Sequence, residues 1–241
     1  TIRKTDVSLA DIFYFKPDLQ KIPGINTLSL RPVTIDGDIQ LDGSIITLPA
    51  FSISQANSLG ISFQGKIDNI FTPQKADCDL KIRINDIDNS WVRKVLAEIQ
   101  PGFSVPDYKV LSLEGIFSDS LRSPDFSIKL KSDLGKIALE GSFDLAKDKF
   151  SVKPIIENLM LGKILKNETF GSFSGSGEIN GSGIIKKSLN AEATFLVDSF
   201  SFNGYNYKQS GIECKIQPGN YILKLNVNDP SLAIDMTASM H

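Results

Sequence analysis

Histidine is almost missing from this chain of 241 residues: the single one is the last residue, His241. That excludes the serine–histidine and cysteine–histidine pairs that activate a nucleophile, and it removes the commonest transition-metal ligand. Cysteine is nearly as scarce. Cys78 and Cys214 each sit among apolar alternate neighbours and read as small core residues, and their spacing does not decide whether they pair. No run approaches the roughly 20 apolar residues that span a bilayer, and Thr1-Ile2-Arg3-Lys4 lacks the apolar core of a signal peptide. Basic charge is not in excess either. With 26 Lys and Arg against 28 Asp and Glu, no basic stripe offers itself to a phosphate backbone, so nucleic acid is not an expected partner. The chain opens in mid-pattern, which leads us to expect a segment of a longer protein, with any membrane anchor or targeting signal outside it.

What is present is alternation. Val33 to Leu41 places Val33, Ile35, Ile39 and Leu41 on one side and Thr34, Asp36, Asp38 and Gln40 on the other, as successive side chains of a strand require. The same period-two pattern recurs at residues 61–67, 80–84, 126–131, 137–143, 212–216 and 221–227. Strands with one dry and one wet face favour antiparallel pairing over a parallel sheet buried on both sides. Two segments break the pattern with helical spacing, Ser90 to Leu96, which contains Trp91, and Asn158 to Leu165. Leu9, Ile12, Phe13 and Phe15 fit either a helical turn before Lys16-Pro17 or a strand.

Glycines recur in phase with the apolar side chains at Gly37, Gly65, Gly115 and Gly141. A glycine inside a strand weakens it, so its repetition at one point of the pattern marks a bend, a bulge or the close approach of another backbone. We read these four as sheet-bending positions that curl the sheet around its dry face; barrel-corner glycines around a ligand-free core are the alternative. Aligning the glycine-bearing strands gives an internal repeat: an entry segment at 1–32, then units at 33–110, 111–176 and 177–241, all within one continuous β domain. The fold expected is all-β, a long antiparallel sheet folded over an apolar groove, with one or two short helices. The residues expected to face that groove are Ile35, Ile39, Phe63, Ile67, Leu113, Phe117, Leu139 and Phe143.

Other signals are weaker. Gly171 to Gly183 is glycine-rich but lacks the Gly-Lys-Ser/Thr ending of a phosphate loop, and reads as a strand of small residues. The carboxylates Asp36, Asp38, Asp42, Asp77 and Asp79 alternate with apolar residues and line a solvated face, without the calcium-loop pattern. Neither a catalytic residue, a metal nor a cofactor is expected.

The ordered series Leu113-Glu114-Gly115-Ile116-Phe117, Ser132-Asp133-Leu134-Gly135-Lys136-Ile137, Leu139-Glu140-Gly141, Leu161-Gly162-Lys163-Ile164-Leu165, Ser176 to Gly183, Phe202-Asn203-Gly204-Tyr205-Asn206-Tyr207 and Asn228-Asp229-Pro230 resembles the TamB translocation and assembly module family. The likeness, to Bacteroidetes-type sequences of this AsmA-like group, runs from about Thr5 to the end. It implies a long β-groove in the periplasm of a Gram-negative bacterium, anchored in the inner membrane. It also implies a role in outer-membrane biogenesis, with phospholipid acyl chains as ligand and an outer-membrane barrel, TamA, as partner through regions elsewhere. A ligand-free scaffold that assists outer-membrane protein assembly through edge-strand contacts is the alternative expectation.

Overall fold

The computed structural model of the protein describes residues 1–21, 32–55, 59–85, 109–184, 188–208, 210–230 and 232–240. The strands are β1 (Ile2–Val7), β2 (Val33–Asp42), β3 (Ile45–Gln55), β4 (Leu59–Asp68), β5 (Asp77–Asn85), β6 (Val110–Ser120), β7 (Asp125–Ser132) and β8 (Gly135–Asp144). They continue with β9 (Lys149–Met160), β10 (Phe170–Ser182), β11 (Asn190–Phe202), β12 (Tyr205–Tyr207), β13 (Ser210–Gln217), β14 (Asn220–Asp229) and β15 (Leu232–Met240). These form one 15-stranded antiparallel sheet in which neighbours in sequence are neighbours in space, except that β12 pairs only with β11. The order is open at β1 and β15 and does not close into a barrel. Such a meander follows from alternating strands joined by short turns, for instance the two residues Asn203-Gly204 between β11 and β12.

Helix is confined among the described residues to α1 (Leu9–Phe15), α2 (Leu161–Leu165) and two single 3-10 turns. No helix among them is long and apolar enough to cross a membrane. The first helix settles the choice between turn and strand at Leu9 to Phe15. The expected helix from Asn158 is corrected: β9 runs on to Met160, and only Leu161–Leu165 is helical. The reason lies in the backbone. Asn158 has a φ of 51° and donates its N–H to Ser174 Oγ at 2.9 Å, while Met160 N–H goes to the Leu134 carbonyl at 2.8 Å, so both amides are engaged across the sheet. The helical spacing at Ser90 to Leu96, with Trp91, lies outside the described residues.

The chain divides into two compact units. One comprises Thr1–Ile116 with Leu130–Asp133, the other Phe117–Lys129 with Leu134–His241. In the first, β3 carries one residue more than either neighbour. Leu48 faces Gly65 and Phe51 faces Phe63, so three steps along β3 match two along β4, and the same slip occurs against β2 between Asp38 and Gln40. This is a β-bulge, and Pro49-Ala50 lies in it, where a proline's missing donor costs no ladder bond. It also explains why the apolar residues of β3 change phase, from Ile46 and Leu48 to Phe51 and Ile53: all four stay on one face. A small cluster forms where Leu59 and Val110, both buried, take Ile61, Ile84, Leu113 and Leu130 against them.

The second unit uses the same device three times. An extra residue in β9 at Asn158 keeps Ile156 and Leu159 on one side, one in β10 does so for Phe170 and Phe173, and one in β11 at Asp198 does so for Val197 and Phe200. Beyond the last of these, Tyr205 donates its hydroxyl to buried Asp229 at 2.8 Å, and the Lys208 N–H meets the other carboxylate oxygen at 3.0 Å. A charge-assisted pair of this kind fastens the β12 hairpin to the end of β14.

Candidate functional site

In the first unit the register assembles apolar rows across the strands. Ile35, Ile53, Ile61 and Ile84 form one; Gly37, Phe51, Phe63 and Ile82 the next; then Leu48, Gly65 and Leu80; then Leu41, Ile46, Ile67 and Cys78. The structure thus brings Ile35, Ile39, Phe63 and Ile67 to one face, with Leu113 packed on the Leu59–Val110 cluster beside it. The rings of Phe51 and Phe63 lie 6.1 Å apart at a tilt, a favourable aromatic geometry. Cys78 is buried and Cys214 half-buried, and the two are not joined in a disulfide.

Gly37 and Gly65 flank the β3 bulge, one in each neighbouring strand, opposite Phe51 and Leu48 respectively. Their φ angles are 138° and 134°, where side chains are strongly disfavoured. A Cβ on Gly37 would overlap the Ala50 carbonyl oxygen and stand 2.7 Å from Phe51 Cα; on Gly65 it would overlap the Asp79 carbonyl oxygen. Glycine is therefore demanded by backbone approach at both positions, from the β3 bulge at Gly37 and from β5 at Gly65. Gly115 is buried within β6.

In the second unit the rows are longer. Ile137, Ile156, Gly175, Val197, Ser210, Val227 and Ile234 make one, and Gly141, Val152, Ile179, Ala193, Cys214, Leu223 and Ala238 another. A third contains Phe143, Phe150, Gly181, Ala191, Ile216, Tyr221 and Met240. Leu139 stands between the first two, opposite Pro154. Phe117, half-buried, belongs to this unit through the end of β6.

Glycines here lie against both backbone and rings: a Cβ would overlap the Ser151 carbonyl oxygen at Gly141 and the Thr194 carbonyl oxygen at Gly177. A Cβ on Gly141 would come within 3.0 Å of the Phe126 ring, one on Gly177 within 2.6 Å of Phe195, and one on Gly181 within 2.5 Å of Phe150. Each glycine seats an aromatic ring from another strand, the device by which rings cover bare backbone in a sheet. Towards the β12 end, Phe170, Phe200, Phe202 and Tyr207 prolong the same face as a cluster with centroids 5.3 to 6.4 Å apart. These aromatics are not among the residues expected from sequence. Their signal is the change of apolar phase at Asp198, together with the Asn-Gly turn.

The opposite faces hold most of the polar side chains, several of them in ion pairs, together with the exposed apolar Ile155 and Leu196. In the first unit Asp36, Ser52, Ser62 and Arg83 share a row, and Lys81 and Arg83 reach Glu114 at 2.6 and 3.4 Å. The hydrogen bond from Lys81, joined by the charges of Lys81 and Arg83, holds the Glu114 carboxyl below its ordinary value. In the second, Glu192 bonds Lys215 at 2.7 Å and is lowered in the same way, and Lys136 meets Glu157 at 2.9 Å. A shallow cleft of about 390 Å³ beside the bulge includes Arg3, Asp38, Gln64 and Lys81, and one of about 690 Å³ includes Lys147, Lys149, Asn180 and Glu192. Exposed pairs of this kind stabilise little, but opposite charges across strands fix register, and register decides which face is dry. Compared with protein-family models, with curated proteins and with solved structures, the chain finds no match.

Proposed function

We propose that the dry faces of the two units hold the acyl chains of phospholipids. The observation that carries this is the succession of apolar rows on one side, most of whose residues are only half-buried and which include Leu41, 61% exposed, Ile39, 43%, Leu223, 41%, and Met236, 44%; Ile155 and Leu196 are exposed on the other side. Single exposed apolar residues are ordinary, but contiguous rows of them are not, and a patch beyond about 300–600 Å² marks a surface that something covers. An acyl chain suits it. It needs no hydrogen-bond partner and gains about 0.8 kcal/mol per methylene buried, while the headgroup stays in water beside the wet rim. Ile35, Ile39, Phe63, Ile67 and Leu113 would face the chains in the first unit, and Phe117, Leu139 and Phe143 in the second.

The resemblance to TamB-type proteins extends the reading. On it, the chain is a periplasmic segment of an inner-membrane-anchored protein that moves phospholipid between the two membranes of a Gram-negative cell, with the TamA barrel met by other regions. The chain then acts by solvation alone and performs no catalysis.

Cys214 reports on this directly, because it lies in the middle row of the second unit, between Ala193 and Leu223. In the Cys78→Ser background, delipidated protein should react with a maleimide at a steady rate. Phosphatidylethanolamine–phosphatidylglycerol vesicles, supplied at ten times the half-saturating concentration, should slow that rate about tenfold. Equal rates with and without vesicles would overturn the proposal.

A further inference from the structure

The end of the second unit at which β9 leads through α2 into β10, and β11 turns into β12, is both basic and aromatic. Its two connections adjoin: the Asn203 N–H donates to the Thr169 carbonyl at 2.8 Å, and Gly162 of α2 lies so close to β10 that a Cβ there would overlap the Phe170 carbonyl oxygen. β9, β10 and β11 are interior strands, each paired on both sides within this chain. The charge of this end runs against that of the whole. The chain has a net charge of −2, yet residues 159–172 and 199–208 contain three lysines, Lys163, Lys166 and Lys208, against one acid, Glu168, and all four are exposed. The neighbouring Asp229 carboxylate is buried and meets the Tyr205 hydroxyl and the Lys208 amide. Beside the lysines, large apolar side chains stand clear of the fold: Leu165 is 53% exposed, Tyr205 40% and Met160 38%.

From this combination we infer that this end of the second unit docks on the surface of a bilayer containing anionic phospholipid. Each part matches one layer of such a surface. The lysine ammonium groups meet the phosphates while their stems lie along apolar neighbours. Tyrosine, apolar in body and polar at its tip, suits the level of the headgroups, and Leu165 and Met160 reach the first methylenes. The rings beneath give these groups a firm base: Tyr205 packs edge-on against Tyr207 at 4.7 Å, and its hydroxyl is held by Asp229. A protein partner would need a fitted pocket for each protruding side chain, whereas a bilayer accepts them as they stand. The inference goes beyond the holding of acyl chains and stands without it, because docking uses the strand ends and holding uses the rows between them.

Flotation with phosphatidylethanolamine–phosphatidylglycerol vesicles tests it. The intact chain should float with them at low salt, and not with vesicles of phosphatidylcholine alone. Lys163→Gln, Lys166→Gln and Lys208→Gln together should weaken vesicle binding about a hundredfold. Lys129→Gln, Lys149→Gln and Lys153→Gln, exposed elsewhere on the unit, should leave it within about threefold although the net charge is the same. Leu139→Asp, aimed at the rows, should float as the parent does, so that a failure of chain holding is read separately. With Cys78 and Cys214 replaced by serine, a polarity-sensitive dye on Leu165→Cys should shift to the blue on the anionic vesicles. The same dye on Leu145→Cys, in the turn after β8 at the opposite ends of the strands, should not. A chain that ignores the anionic vesicles, as a surface for an acidic protein would, or that floats equally on neutral ones would overturn the inference. So would two lysine sets that weaken binding alike, a Leu139→Asp protein that no longer floats, or a dye that shifts at Leu145 and not at Leu165.

Discussion

Replacing Leu139 by aspartate should weaken the binding of a phospholipid or fluorescent fatty acid about a hundredfold while leaving the sheet folded. Leu139 stands between the Ile137 and Gly141 rows of the second unit and is half-buried. A carboxylate there draws water into the rows and separates a bound chain from three or four methylenes' worth of contact, about 3 kcal/mol at 0.8 kcal/mol each. The fold survives because the position is not sealed and the ladder of β8 and β9 does not use the side chain. Leu139→Met, which conserves volume and polarity, should bind as the parent does. Titration of the three proteins, with far-UV circular dichroism to verify folding, checks this. An aspartate variant that binds within about threefold of the parent would sink the idea that this row touches the ligand. Phe63 is a less clean choice, since its ring rests on Phe51 and its removal would loosen the sheet as well.

The second large effect is on stability. Gly65→Ala should cost the first unit about 3 kcal/mol, read as a fall in the urea midpoint. Two terms contribute: a φ of 134° is a region that alanine avoids, and the added methyl would overlap the Asp79 carbonyl oxygen, part of a neighbouring backbone that cannot step aside. Gly211→Ala is the control. Nothing lies within 4 Å of its Cβ position and its φ is ordinary, so its midpoint should hardly move. If the two variants unfold alike, the close approach of the β5 backbone is not what glycine serves there.

The strands that were legible in the sequence are those whose alternation never slips. Residues 33–41, 61–67, 80–84, 126–131, 137–143, 212–216 and 221–227 lie within β2, β4, β5, β7, β8, β13 and β14. β3, β9, β10 and β11 were harder to read for one physical reason: each contains a bulge, and an extra residue reverses the parity of every apolar position beyond it. The slip is itself a signal. Wherever the apolar phase changes without a turn, as at Pro49-Ala50 or Asp198, the register shows one strand with a residue to spare. What the glycines admit is not revealed by alternation. Gly37 is approached by the bulged β3 and Gly65 by β5, while Gly141, Gly177 and Gly181 admit an aromatic ring as well as a neighbouring carbonyl, and only the register shows which strand approaches which. The aromatic cluster around Phe200 and Tyr207 was hidden because its members come from three strands, two of them bulged. The second helix begins three residues later than its spacing suggests, since the sheet claims the amides of Asn158 and Met160 first.

The most direct measurement is native mass spectrometry of the intact chain purified from a Gram-negative host under gentle conditions. If the dry faces hold acyl chains, the spectrum should contain adducts of phospholipid mass that solvent extraction removes and vesicles restore. A spectrum of bare protein alone, unchanged after incubation with vesicles, would contradict it.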